Sequence, residues 1–208
     1  MNTLSSRWIR VVAIIALGFL ARIADTAPPD HPAHHHETIA TAPLPGGSLY
    51  HLSISLETET GDTVAIHHFR GSPLLVTMFY THCTSVCPML TTNLQRLDRD
   101  LSPAQRSKLH VLMVSLDGRR DTPAELAHFA TLHAITDSRW TLARATDDDV
   151  RLLAAALGIR FRELPDHSFN HSAVITLLTA DGDVLARTSD LFGPDELFAK
   201  VLAASLTP

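Results

Sequence analysis

Cysteine is scarce in this 208-residue chain: Cys83 and Cys87 are present and no others. Neither thiol can therefore be explained by another disulfide partner within the chain. A basic surplus is also missing. The formal net charge is −5 and no basic stripe is visible, which argues against nucleic acid as a partner. Internal repeats are absent. The apolar stretch at residues 11–21 is short for a bilayer span of about 20 residues. With Arg7 and Arg10 before it, it matches the charged and apolar regions of an export signal. Ala24-Asp25-Thr26-Ala27 is a poor cleavage site. Residues 1–27 thus read as a signal peptide or as a membrane anchor extended by Trp8 and Ile9. No cysteine follows the apolar stretch, which excludes a lipoprotein. Either reading places the folded part outside the cytoplasm, periplasmic or membrane-anchored. Exposed thiols tend to oxidise there, so a working dithiol needs a reductant or a metal.

Histidine, by contrast, is abundant at 13 residues. Residues 28–45 are rich in Pro and His and lack an apolar period, as expected of a flexible linker. His31, His34, His35 and His36 on such a chain are either solvated or a weak, unselective catch for Cu(II) or Zn(II). The folded domain is expected over residues 46–208.

Within it, residues 49–56 and 63–67 read as strands joined at Gly61-Asp62, an N-terminal β-hairpin. Residues 73–80 form a nearly continuous apolar run, the mark of a buried central strand. Both cysteines follow it. Pro88 suits the first turn of a helix whose buried face is Leu90, Leu94 and Leu97. Residues 109–116 are a second buried strand. Thr122-Pro123 with Glu125 opens a helix running to about His133. Residues 140–145 form a short strand. Thr146 caps a helix whose Asp147, Asp148 and Asp149 favour its positive end, and Gly158 ends it. Residues 173–178 and 184–188 pair through Asp181-Gly182, and residues 194–206 close the chain as a helix. This α/β order, with a CxxxC pair at the first strand-to-helix junction, predicts a thioredoxin-like sandwich. Such sheets place their sites at the carboxyl ends of strands.

Near a helix N-terminus thiolates are stabilised by the helix dipole and free N–H groups. A thiolate is both a nucleophile and a metal ligand. Three intervening residues let the loop open around an ion or close as a disulfide, so spacing alone does not decide. A purely structural disulfide would staple too short a loop to remove much chain entropy. Cu(I) favours soft thiolates, and imidazole also suits copper. Ordinary thioredoxins carry a cis-proline before the next strand, facing the cysteines. Here His171-Ser172 takes that place, and no proline lies between Pro165 and Pro194. A histidine facing two thiolates makes an S₂N site.

Three segments resemble the Sco/SenC family of copper-binding thioredoxin-like proteins. They are Tyr80-Thr81-His82-Cys83-Thr84-Ser85-Val86-Cys87-Pro88, Ser115-Leu116-Asp117-Gly118-Arg119-Arg120-Asp121-Thr122-Pro123, and Asn170-His171-Ser172-Ala173 leading to Asp181-Gly182. The similarity spans about residues 46–205. It implies Cu(I) or Cu(II) held by Cys83, Cys87 and His171. It further implies a metallochaperone, rather than an enzyme, that delivers copper to, or prepares the cysteines of, the dinuclear copper site of a respiratory cytochrome c oxidase. Its partners would be the copper-site subunit of that oxidase, a copper donor chaperone and a thioredoxin-like reductant. Asp117 and Asp121 would shape the loop beside the site. Thr84 and Ser85 stand where the family often has proline and an acidic residue, and Gly118 replaces a common proline, which should loosen its loop. His167 sits in an Asp-His-Ser string frequent in the family. His171 has the better distance to the following strand and is the preferred ligand. His82 reads as a solvated neighbour, and His67, His68, His110, His128 and His133 as structural or surface residues. The alternative functions are a dedicated extracytoplasmic thiol–disulfide reductase and a copper or redox sensor.

Overall fold

The computed structural model describes residues 47–191 and 195–207. The expected signal or anchor at 1–27, the linker at 28–45 and its histidines lie outside the described residues. Among the described residues no helix is long and apolar enough to cross a membrane.

The chain runs β1 (Ser55–Thr58), β2 (Thr63–Ala65), β3 (Leu74–Phe79), α1 (Val86–Arg99), α2 (Pro103–Arg106), β4 (His110–Ser115), α3 (Pro123–Leu132), β5 (Trp140–Arg144), α4 (Asp147–Leu157), β6 (Phe161–Glu163), β7 (Phe169–His171), β8 (Ile175–Leu178), β9 (Val184–Thr188) and α5 (Glu196–Ser205). Among the described residues one sheet has the order β2-β1-β5-β4-β3-β8-β9, and β6 pairs with β7 in a separate ribbon. Strands β3, β4 and β5 are parallel, while β8 and β1 join antiparallel on either side. All six residues of β3 are buried, because both faces of the sheet are covered. Leu75 and Phe79 face one core with Leu90 and Leu94 of α1, Phe129 of α3 and Phe198 of α5. Leu74, Val76 and Met78 face the other, with Val150, Leu153 and Leu157 of α4. This is the expected thioredoxin-like sandwich with an added N-terminal hairpin.

The helix starts follow local chemistry. The Thr122, Thr146 and Asp195 side chains accept from the third helical N–H of α3, α4 and α5. Gly158 ends α4 at φ 72°, a left-handed position that costs glycine nothing.

Three features differ from the sequence reading or add to it. The predicted strand at residues 49–56 is shorter, because Leu49–His51 is a 3₁₀ turn. Ser48 accepts from the Tyr50 N–H, and its hydroxyl donates to the Asp181 carbonyl. One bond local and one long-range, they outcompete the alternating apolar pattern. The ribbon β6–β7, with Phe161 opposite His171, had no counterpart in the sequence reading. Gly118 also has a packing role that the sequence did not suggest. A Cβ there would lie 2.2 Å from the Ala145 carbonyl oxygen, so glycine is what allows that backbone approach.

Candidate metal centre

β3 delivers the chain to the carboxyl edge of the sheet at Tyr80. There Cys83 N–H donates to the Tyr80 carbonyl, 3.3 Å, folding the loop back. α1 then starts at Val86 with no side-chain cap from Ser85. The Cys83 sulfur takes that role and accepts from the Cys87 N–H at 3.3 Å. An otherwise unpaired N–H of the first helical turn thus points at a thiol, where the dipole favours negative charge. Cys87 lies in the same turn. Both cysteines are buried free thiols, and Pro88, one residue on, needs no helix partner for its missing N–H.

The histidine comes from the ribbon. His171 ends β7 opposite Phe161, and its Nε2 lies 3.7 Å from Cys87 Sγ. The ligand atoms of Cys83, Cys87 and His171 all lie within 4.8 Å of one another, and no other such group of three occurs among the described residues. His171 Nδ1 lies 3.3 Å from the Ser172 carbonyl oxygen, which turns Nε2 toward the sulfurs. Tyr80 walls the site, its ring 5.9 Å from that of His171 and 5.2 Å from that of Phe169.

The two thiols differ in acidity. The hydrogen bond from Cys87 holds the Cys83 thiol well below the usual range, against the opposing effect of burial, and His171 and the helix N–H groups assist. Cys87 is pushed up by that same bond and by burial. One proton is thus shared by two sulfurs, with Cys83 as the anion. Two sulfur donors and one imidazole in a buried pocket make a set suited to a soft ion.

The neighbouring residues fall into two groups. Asp121 is fully buried. It accepts from the Thr81 N–H at 2.9 Å, the Thr81 hydroxyl at 2.5 Å and the Ser115 hydroxyl at 2.5 Å. Asp117 accepts from Arg120, and its N–H donates to Ser115 Oγ at 2.8 Å. Both aspartates therefore brace loops beside the cysteines. His167 stays apart, in the turn between β6 and β7 at φ 63°, exposed, with Nδ1 2.7 Å from Glu163 Oε1. His82 is exposed and 3.8 Å from Asp121. His67 and His68 lie in the 3₁₀ turn Ile66–Phe69, His110 begins β4, and His128 lies in α3. The sequence reading gave no role to Tyr80 or Arg120. The only signal for Tyr80 was its place at the end of a buried strand, three residues before Cys83.

A family model described as SCO1/SenC matches residues 47–205. The human mitochondrial SCO1 homolog is 27% identical over 171 residues, 79% of this chain and 53% of that protein. The chain spans about half the length of the curated relatives it matches. A copper-bound ScoI structure from Bradyrhizobium japonicum shares the fold at a TM-score of 0.59 and 22% identity, covering 74% of this chain and 94% of that one. So does BsSco, described as a member of the Sco family of cytochrome c oxidase assembly proteins with a disulfide switch. Its TM-score is 0.62 and its identity 20%, covering 73% and 90%.

Proposed function

The chain belongs to the SCO1/SenC family, and from that premise we propose that it binds copper through Cys83, Cys87 and His171. It delivers that copper to, or prepares the cysteines of, the dinuclear copper site of a respiratory cytochrome c oxidase. The observation that carries this reading is the convergence of two sulfurs and one imidazole nitrogen within 4.8 Å at the start of α1. Relatives described as copper-bound or as oxidase assembly proteins support it. Copper is the cargo. The anionic Cys83 offers the first donor, and loading expels the proton held at Cys87. His171 completes the set without a charge, so the loaded site carries less excess negative charge than three thiolates would. That favours passage to another thiolate site over permanent storage. A copper donor loads the chain, a thioredoxin-like reductant keeps the pair reduced, and the oxidase subunit receives the metal.

In this reading residues 1–27 export the chain or anchor it, residues 28–45 are a tether, and residues 46–208 work outside the cytoplasm.

The test is copper titration of the reduced full-length chain. One tightly held ion is expected, lost in Cys83→Ser and Cys87→Ser. Binding that survives both substitutions places the copper elsewhere.

The shared proton also favours a second reading, a dedicated thiol–disulfide reductase. Cys83 would attack a partner disulfide and Cys87 would resolve the mixed disulfide. Two electrons and the one proton held at Cys87 pass to the partner as the Cys83–Cys87 bond forms, and the partner's second thiolate takes its proton from water. Such turnover would depend little on His171, whereas copper binding depends on it strongly.

A further inference from the structure

The segment between β4 and α3 holds both sides of the site. On one side, Asp121 clamps Thr81, two residues before Cys83. On the other, Arg120 reaches the histidine ribbon. Its Nε donates to Asp117 Oδ2 and its Nη2 donates to the His167 carbonyl. One guanidinium therefore links a buried carboxylate of this loop to the turn between β6 and β7.

That turn needs an anchor. A two-stranded ribbon is marginal by itself, and each strand here has three residues. The turn is closed internally by Leu164 N–H to the Ser168 carbonyl, His167 N–H to the Leu164 carbonyl, and Asp166 to Ser168. None of these bonds reaches the sheet. Between the turn and His171 lies β7, a span of about 10 Å at ~3.3 Å per residue. Phe169, the first residue of β7, packs on Tyr80 and Phe161. Shifting the turn would carry His171 with it, since an extended strand transmits displacement along its length.

We propose that Arg120 is a positioning residue for His171. Its planar fork fixes the ribbon to the loop that braces the cysteines, and so sets the approach of Nε2 to the sulfurs. This rests on the copper reading of Cys83, Cys87 and His171. The residue type matters, because the fork satisfies two acceptors at fixed angles, which an ammonium point charge does not.

The experiment uses the full-length chain with His31, His34, His35 and His36 replaced by alanine to silence the N-terminal histidines. Cu(I) affinity is measured by competition with a colorimetric chelator, and the Cu(II) spectrum is recorded alongside. Arg120→Met keeps the apolar stem and removes the fork. It is expected to weaken binding by about 10- to 100-fold, the usual effect of losing a residue that orients a metal ligand. Its spectrum should move toward that of His171→Ala. In a His171→Ala background the same substitution should cost nothing more, because its effect passes through that imidazole. Arg120→Lys should show an intermediate loss and serves if the methionine variant does not fold. Wild-type affinity and spectrum in both Arg120 variants would overturn the proposal, as would an equal loss with and without His171. If His171→Ala itself changes neither affinity nor spectrum, the copper reading fails instead.

Discussion

Removing the Asp121 carboxylate should loosen the cysteine loop and destabilise the whole domain. Asp121 is fully buried and takes three hydrogen bonds, from the Thr81 N–H, the Thr81 hydroxyl and the Ser115 hydroxyl. Thr81 is only half-buried, so its hydroxyl finds water after Asp121→Ala. Two buried donors remain without an acceptor, the Thr81 N–H and the Ser115 hydroxyl. Each costs about 1–3 kcal/mol, which gives a total of roughly 2–6 kcal/mol. That is a large part of the ~5–15 kcal/mol that holds a typical domain together. For a domain of this size the fall in Tm is about 4–24 °C. The assay is urea and thermal unfolding of the apo protein, followed by circular dichroism. Ser115→Ala provides the internal check. With that hydroxyl already gone, Asp121→Ala should cost about 1–3 kcal/mol less, because one buried donor is no longer stranded. A loss below about 1 kcal/mol, or strict additivity with Ser115→Ala, would refute the claim that this carboxylate holds the loop.

Two further outcomes follow from the same geometry. The lowered Cys83 pKa and raised Cys87 pKa leave one proton on the pair at neutral pH. Copper binding should therefore release about one thiol proton between about pH 7 and 8, and affinity should rise about tenfold per pH unit. A hundredfold rise per unit, the mark of two ordinary thiols, would contradict the asymmetric pair. Gly118→Ala should lower stability by about 1–3 kcal/mol, because its Cβ would overlap the Ala145 carbonyl oxygen. An unchanged Tm in thermal denaturation would show that the loop yields freely.

Most of the fold was legible because burial and capping leave strong local marks. The apolar run of β3, the Thr146 cap with its three aspartates, and Gly158 each correspond to an observed boundary. The segment at residues 49–56 misled because Leu, Ile and Leu alternate as in a strand. Ser48 bends it through a local bond to Tyr50 and a bond to Asp181, 133 residues along the chain. The β6–β7 ribbon escaped notice for a different reason. Strands of three residues carry too few alternations to be read, and Phe161 packs on Phe169, which packs on the distant Tyr80. The cysteine pair was legible as chemistry from its place before a helix. The convergence of His171 on it was argued from position, and the structure places His171 beside the sulfurs and His167 in an exposed turn. Arg120 gave no signal, since its two acceptors are a carboxylate three residues away and a backbone carbonyl 47 residues along.

The central claim is that one copper ion is held by two cysteine sulfurs and the imidazole of His171. Its most direct test is titration of the reduced chain with Cu(I) and Cu(II), comparing wild type with His171→Ala and His167→Ala. The account expects one tight site in wild type and in His167→Ala, with unchanged spectra. In His171→Ala it expects weakened affinity and an altered Cu(II) spectrum. Unchanged binding and spectrum in His171→Ala, or their loss in His167→Ala instead, would contradict it.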